Sequence, residues 1–547
     1  MKRIKKILSI ALCAVITASL FSGCSSKNES IDFIYPFSGN VNSFDPQVAA
    51  TADEFLIAEN CFEGLVRIRD DGTVRDGVAE SWEISNDGLT YTFKLKKGIK
   101  WRISEKSAVT ELMGESFNPD ITADDFVFAL QRAADPSTEC PLFTSIASIE
   151  NAGEIHSGKM AADKLGVTAN DDYTLVIKLK SADEGFLNAM STAVAMPCNR
   201  EYFNATKGRY GLGLSYSMFN GQFYVSSILE SSYILRNNKL YTGSHPSSVS
   251  DVTLNIINEE SDVAQKLKSG YYDCAYITGK EYESIDDSKI TVTPYSNKLW
   301  AMVLNKNRQI FSNTDLRKAV CLSISNPETQ QHSYLTKAGG LTPPSCSIEG
   351  KPANEAIGNS SYSQDTEKAV EIWRKGLEEE KYTSANLTVI ATEDMEATAK
   401  QLVQGIQGSI GKISSYGKEG KISFSLKIDV LSQKDFDTAF SNGEYDLALY
   451  CFESDSQSAV TFLGDIIKGN YLGEIDGIDS LMNEAQNAAA NDSAAKCKTV
   501  EEKIISDYSL LPIYYEASYY AQAKGVSGVD FHPGSGRVSF INATRED

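Results

Sequence analysis

Apolar and polar positions alternate most clearly between Leu65 and Leu95, and the alternation predicts a small β unit there. Leu65, Val66 and Ile68 form a short apolar run that stops at Asp70-Asp71-Gly72, a turn composition. Trp82 and Ile84 alternate with polar neighbours as far as a second turn, Asn86-Asp87-Gly88. Leu89, Tyr91, Phe93 and Leu95 then alternate with Thr90, Thr92, Lys94 and Lys96, the pattern of a half-buried strand. Further strands are predicted over Ile31 to Tyr35, over the alternating Tyr173, Leu175, Ile177 and Leu179, and over Val252 to Ile256. Thr122 with Asp125 three residues later is a capping-box pattern, and Phe126, Leu130 and Ala133 follow at helical spacing until Asp135-Pro136 stops the helix.

The second half of the chain changes period. Asp365 to Glu380 reads as an amphipathic helix with Ala369, Val370, Ile372, Trp373 and Leu377 on one side. Leu387 to Ile390 is a buried strand, Ala397 to Ile410 a helix, and Phe424 to Leu431 another strand, an order that argues for an α/β lobe. Tyr445 to Phe452 is a strand running into a loop that contains Asp455. Thr499 to Leu511 reads as a helix leading to Pro512-Ile513-Tyr514-Tyr515. Ile103 to Asp120, with Ser, Glu, Gly and Pro, reads as an inserted loop.

A chain of 547 residues exceeds one ordinary domain, so two or three lobes are expected. Residues 1–23 read as a signal peptide, with basic residues followed by the apolar run from Ile7 to Phe21. Removing Lys2, Arg3, Lys5 and Lys6 makes a formal charge already at −21 more negative, which disfavours nucleic acid and anionic lipid surfaces. No other apolar run reaches the length of a membrane span. Ser22-Gly23-Cys24 looks like a bacterial lipobox in which Cys24 would carry lipid, with the polar residues up to 30 as a tether. The remaining cysteines are isolated and lack C-x-x-C spacing, so no metal site or cofactor is expected, and their pairing stays open. His156, His245, His332 and His532 are scattered, with no H-E-x-x-H, G-x-S-x-G or P-loop, so an enzyme is not expected.

Several segments in order resemble one family: Glu63-Gly64-Leu65, Val78-Ala79-Glu80-Ser81-Trp82, Asp87-Gly88-Leu89-Thr90-Tyr91-Thr92-Phe93, Lys97-Gly98 and Lys100-Trp101. Asn220-Gly221-Gln222-Phe223, Phe311-Ser312-Asn313 with Leu316-Arg317, and Thr461-Phe462-Leu463 extend the match. Together they resemble family 5 solute-binding proteins, the receptors of peptide-type ABC importers, and most of all the oligopeptide-binding branch. That resemblance implies an α/β, two-lobed periplasmic-binding-protein fold of class II (cluster C) with an extra subdomain in the first lobe. On this basis residues 31–67, 201–296 and 509–547 are assigned to lobe I, 68–200 to its extra subdomain, and 297–508 to lobe II.

The resemblance also implies the binding mode. An extended peptide would pair its backbone with Ala50, Thr51 and Ala52 on one side and with Cys451, Phe452 and Glu453 on the other. Asp455 would receive the peptide's α-ammonium, and Tyr276, Tyr514 and Tyr515 would wall its pockets. The partners implied are a peptide and the importer permease, with a monomeric receptor held to the membrane through Cys24. Another ligand of the same fold stays open, either a nickel chelate or an oligosaccharide, although only Trp82, Trp101, Trp300 and Trp373 are present for sugar stacking. A peptide-pheromone sensor also stays open.

Overall fold

The computed structural model describes residues 31–546 apart from 70–72, 114–116, 184, 245, 259–261, 286–289, 325–331, 349–350, 361, 412–422, 454–457, 487, 489 and 533–536. The first strand, Ile31–Phe37, pairs in parallel with Val249–Ile256, and Ser232–Asn237 and Phe223–Ile228 extend the sheet antiparallel. The alternating stretch forms a second sheet, ordered Ala79–Ile84, Thr90–Leu95, Thr174–Lys178, Val167–Asp171. Tyr91, Phe93 and Leu95 are buried and Lys94 is exposed, as the period-2 pattern requires. Helix Ala123–Ala134 covers this sheet; Thr122 and Asp125 close the capping box, and the helix stops at Asp135 before Pro136. All of these elements share one hydrophobic core, from Phe33 to Tyr295 and again from Ala517 to Ala543.

The Ile103 to Asp120 insertion is pinned to this first body. Arg102–Ile103 pairs with Met218–Phe219, Ala108 N–H donates to the Ser215 carbonyl, and Val109 and Met113 are buried in the core.

The largest sheet runs Cys274–Ile277, Leu510–Ala523, Ile290–Leu304, Leu447–Glu453, Ser384–Thr392, Ser423–Leu431, with Leu335–Lys337 attached to Leu510–Ala523. Its two long members, Ile290–Leu304 and Leu510–Ala523, are antiparallel and pass from one body into the other. Beyond Lys298 their side chains divide by parity. Trp300, Met302 and Leu304 join one core with Leu447, Leu449 and Val389. Leu299, Ala301 and Val303 join another with Ala448, Phe452 and Ile390. A sheet buried on both faces accounts for near-continuous apolar runs here instead of alternation. Helices Thr314–Ser323, Thr366–Glu379 and Glu396–Gly408 contribute to the first of these cores, and Ala459–Lys468 and Ala490–Ser506 to the second.

Two sequence readings shift. The last helix ends at Ser506, not Leu511, because Leu510 onward joins the long strand. Pro512, which cannot donate to a ladder, is tolerated there because the register slips between Trp300 and Ala301, which pair with Tyr514 and Pro512. Leu510 to Tyr515 also pack in the second body's cores, whereas the sequence reading gave 509–547 to the first lobe; the crossover falls at 516–517.

Asp45 ties the first body together. Arg132 Nη2 lies 2.5 Å from Asp45 Oδ2 and Nη1 donates to Gln47 Oε1 at 2.9 Å, while the guanidinium sits 4.2 Å from the Phe203 ring centroid. Removing one member of such a buried pair leaves the other charge uncompensated, so Asp45→Ala is expected to destabilise the protein by about 3 kcal/mol in urea unfolding. A loss below about 0.5 kcal/mol, the scale of a neutral surface change, would show that the pair holds nothing together.

Candidate functional site

Strand Leu447–Glu453 is built by Leu447, Leu449 and Cys451 facing one core and Ala448, Tyr450 and Phe452 the other. On one side it ladders along its whole length with Leu304 to Lys298. On the other it meets Ser384–Thr392 only at Leu447 and Ala448. Among the described residues, the outer edge from Leu449 to Glu453 therefore carries no ladder partner; Leu449 is fully buried, and exposure begins at Tyr450. Phe452 is buried against Tyr450 and Tyr471, Cys451 is half-buried, and Glu453 is exposed.

The register puts charge at the mouth of this edge. Lys298 stands opposite Glu453 on one neighbour and opposite Glu516 on the other. Its Nζ lies 3.8 Å from Glu453 Oε2 and 4.0 Å from Glu516 Oε1, close enough for attraction and too far for hydrogen bonds. Trp300 Nε1 donates to Glu516 Oε2 at 2.5 Å, and Asn297 Nδ2 donates to Glu453 Oε1 at 3.1 Å. Partial burial works against the Lys298 charge, but Glu453 and Glu516, with Asp394 behind them, hold its ammonium above the ordinary range. Burial pushes the Cys451 thiol up, against the opposing pull of Lys298.

Cys451, Phe452 and Glu453 follow one another here, Tyr514 and Tyr515 lie on the same cross-strand rows through Trp300 and Leu299, and Ala50 to Ala52 and Tyr276 belong to the first body. Ala50 to Ala52 is not a free extended edge. Thr51 caps helix Ala52–Cys61, and the N–H groups of Ala50 and Thr51 donate to Glu54 Oε2 at 2.8 and 3.2 Å. Those donors are used by the capping box, so an incoming strand would have to displace Glu54 to reach them. Tyr514 and Tyr515 are both buried in the second body's cores, and Tyr515 OH is held by the N–H and carbonyl of Gly340. Tyr276 is half-buried, edge-on to Phe531 with centroids 4.6 Å apart and to Tyr520 at 6.0 Å, packing against the first body's core. Asp455 and Cys24 lie outside the described residues.

Lys298, Trp300, Asn297 and Glu516 were not singled out from the sequence. The available signal was a charge inside each long apolar stretch, Lys298 before Leu299-Trp300 and Glu516 after Tyr514-Tyr515. Only the register between strands more than 150 residues apart shows that these charges face one another.

The described residues contain no group of three or more His, Cys, Asp or Glu able to hold a metal ion, and no helix long and apolar enough to cross a membrane. Of the eight described cysteines, seven are buried and Cys451 is the exception. In a chain carrying Cys24→Ser, a thiol reagent is therefore expected to modify Cys451 first and slowly, and Cys451→Ser should abolish that phase. An unchanged first phase in Cys451→Ser would place the accessible thiol elsewhere.

Comparison with known proteins agrees with this architecture. Residues 73–470 match the family model for bacterial extracellular solute-binding proteins, family 5 Middle. The chain is 25% identical to the dipeptide-binding protein of Lactococcus lactis, covering 96% of this chain and 97% of that one. It is 26% identical to the periplasmic oligopeptide-binding protein OppA of Haemophilus influenzae, covering 89% of each. Among solved structures, the substrate-binding domain of an oligopeptide ABC transporter from Bacillus anthracis superposes with a TM-score of 0.70 at 22% identity, covering 95% of this chain and 99% of that one. With two bodies joined by paired long strands and the family model matched across most of its length, the chain belongs to the bacterial extracellular solute-binding proteins of family 5.

Proposed function

We propose that this protein is an extracytoplasmic receptor that captures extended oligopeptides between its two lobes and delivers them to an ABC importer. The observation that carries the reading is the edge from Tyr450 to Glu453, unladdered among the described residues, beside the strands that join the lobes. A peptide adding there gains main-chain hydrogen bonds that do not read its side chains, which suits a receptor for varied sequences. The names of its relatives, a dipeptide-binding and an oligopeptide-binding protein, support the ligand class. In this reading the opposing lobe grips the peptide by contacts other than Ala50 to Ala52, whose donors are engaged. Residues 1–23 direct export, Cys24 carries lipid, the tether to residue 30 holds a monomeric receptor at the outer face of the membrane, and the protein catalyses no reaction.

Asp455 stands two residues beyond the exposed Glu453 and is assigned the peptide's α-ammonium. A charge-assisted contact of this kind is worth about 1.5–3 kcal/mol, so Asp455→Ala should weaken free-amine peptides about 10- to 100-fold and N-acetylated ones far less, by calorimetry. Equal losses for both would take the ammonium role from Asp455. Ligand is also expected to select a closed state of the hinge, seen as a smaller radius of gyration in solution scattering at saturating peptide. A radius that does not move while peptide binds would rule out closure as the capture step.

A further inference from the structure

The row Glu453–Lys298–Glu516 is incompletely satisfied in a directional way. Glu453 and Glu516 each have one oxygen held, by Asn297 and by Trp300, while the other points towards Lys298 across 3.8 and 4.0 Å. Asn297 is only 4% exposed, and its Oδ1 has no hydrogen-bond partner although its Nδ2 is committed to Glu453. A buried carbonyl oxygen without a donor costs free energy, and the unmet need here is for N–H groups. Charge agrees with this. Glu453, Glu516 and Asp394 act together on the single ammonium of Lys298, leaving the group net negative. The site lies where Glu453 ends the unladdered edge, and the Glu453 side chain is 49% exposed against 14% for Glu516. A carboxylate ligand would meet three like charges, whereas a cation would meet acceptors that lack donors.

We infer that Glu453, Glu516 and the Asn297 carbonyl form a subsite for a positively charged side chain of the ligand, an ammonium or guanidinium, with Lys298 as the resident counter-ion that moves aside. The inference rests on the peptide-binding reading and gives it a specificity: peptides carrying lysine or arginine at the position next to the Glu453 edge bind preferentially. The same chemistry is presented by a peptide's amino terminus, and the test separates the two.

The experiment is calorimetry on the mature protein with tetra-alanine peptides in which lysine is walked through each position. Each lysine peptide is paired with its norleucine counterpart, which keeps the chain length and removes the charge, and both are made with free and acetylated amino termini. Lysine is expected to exceed norleucine by about tenfold at one position, the scale of one charge-assisted hydrogen bond, whether or not the terminus is acetylated. Glu453→Gln, at an exposed site, and Glu516→Gln, which keeps an acceptor for Trp300, should each reduce the lysine-to-norleucine ratio towards one. Equal affinities at every position, or a ratio that survives both substitutions, would overturn the subsite while leaving peptide binding intact. A ratio that vanishes on acetylation would also overturn it, by giving these carboxylates to the amino terminus. Failure of every peptide to bind would overturn the subsite together with the reading it rests on.

Discussion

The antiparallel pairing of Ile290–Leu304 with Leu510–Ala523 is the constraint on which the two-lobed arrangement depends. These strands belong to the first body's core at Tyr295 and Ala517 and to the second body's cores from Leu299 and Tyr515. The ladder breaks between Tyr295 and Lys298, so Ser296 and Asn297 have no Cα partner on the opposing strand at the point where one core ends and the next begins. A register break bends a strand and removes ladder bonds where the two cores meet.

Polar residues gather at this crossing for the same reason. Between cores the sheet faces are not covered by apolar side chains, so Lys298, Glu453 and Glu516 occupy one cross-strand row while Trp300 and Cys451 begin the covered row beside it. Placing charges at the rim rather than inside a core limits their desolvation cost and keeps their fields effective on a ligand. The buried Arg132–Asp45 pair shows the opposite use of charge. It is buried beside Gln47, Cys198 and Phe203 and holds the Asp45 to Val48 turn against helix Ala123–Ala134.

Much of the fold was readable from residue pattern. The alternation between Leu65 and Leu95, the Thr122–Asp125 cap, and the strand–helix–strand order from Leu387 to Leu431 depend on neighbours within a few residues, and the structure contains each of them; the Asp70 to Gly72 turn lies outside the described residues. The readings that changed were those in which local chemistry competes with distant pairing. Ala50 to Ala52 are assigned from the sequence to pair with a peptide backbone, but Glu54 three residues past Thr51 completes a cap that takes the Ala50 and Thr51 N–H groups. Tyr514 and Tyr515 looked like pocket aromatics, and two strands on either side bury them. Ser509 to Leu511 looked helical until pairing with Leu304 to Met302 drew it into the sheet.

By itself the sequence determined many of the strands and helices, the family resemblance, and that Cys451 to Glu453 lies on a strand running towards Asp455, because periodicity and motif order are properties of short stretches. Only the tertiary structure decided that this strand has a bare outer edge, that Lys298 is flanked by Glu453 and Glu516, and that Asn297 Oδ1 lacks a donor. Those facts follow from the register between strands more than 150 residues apart, set by the sum of two cores' packing, and no local pattern encodes such a sum.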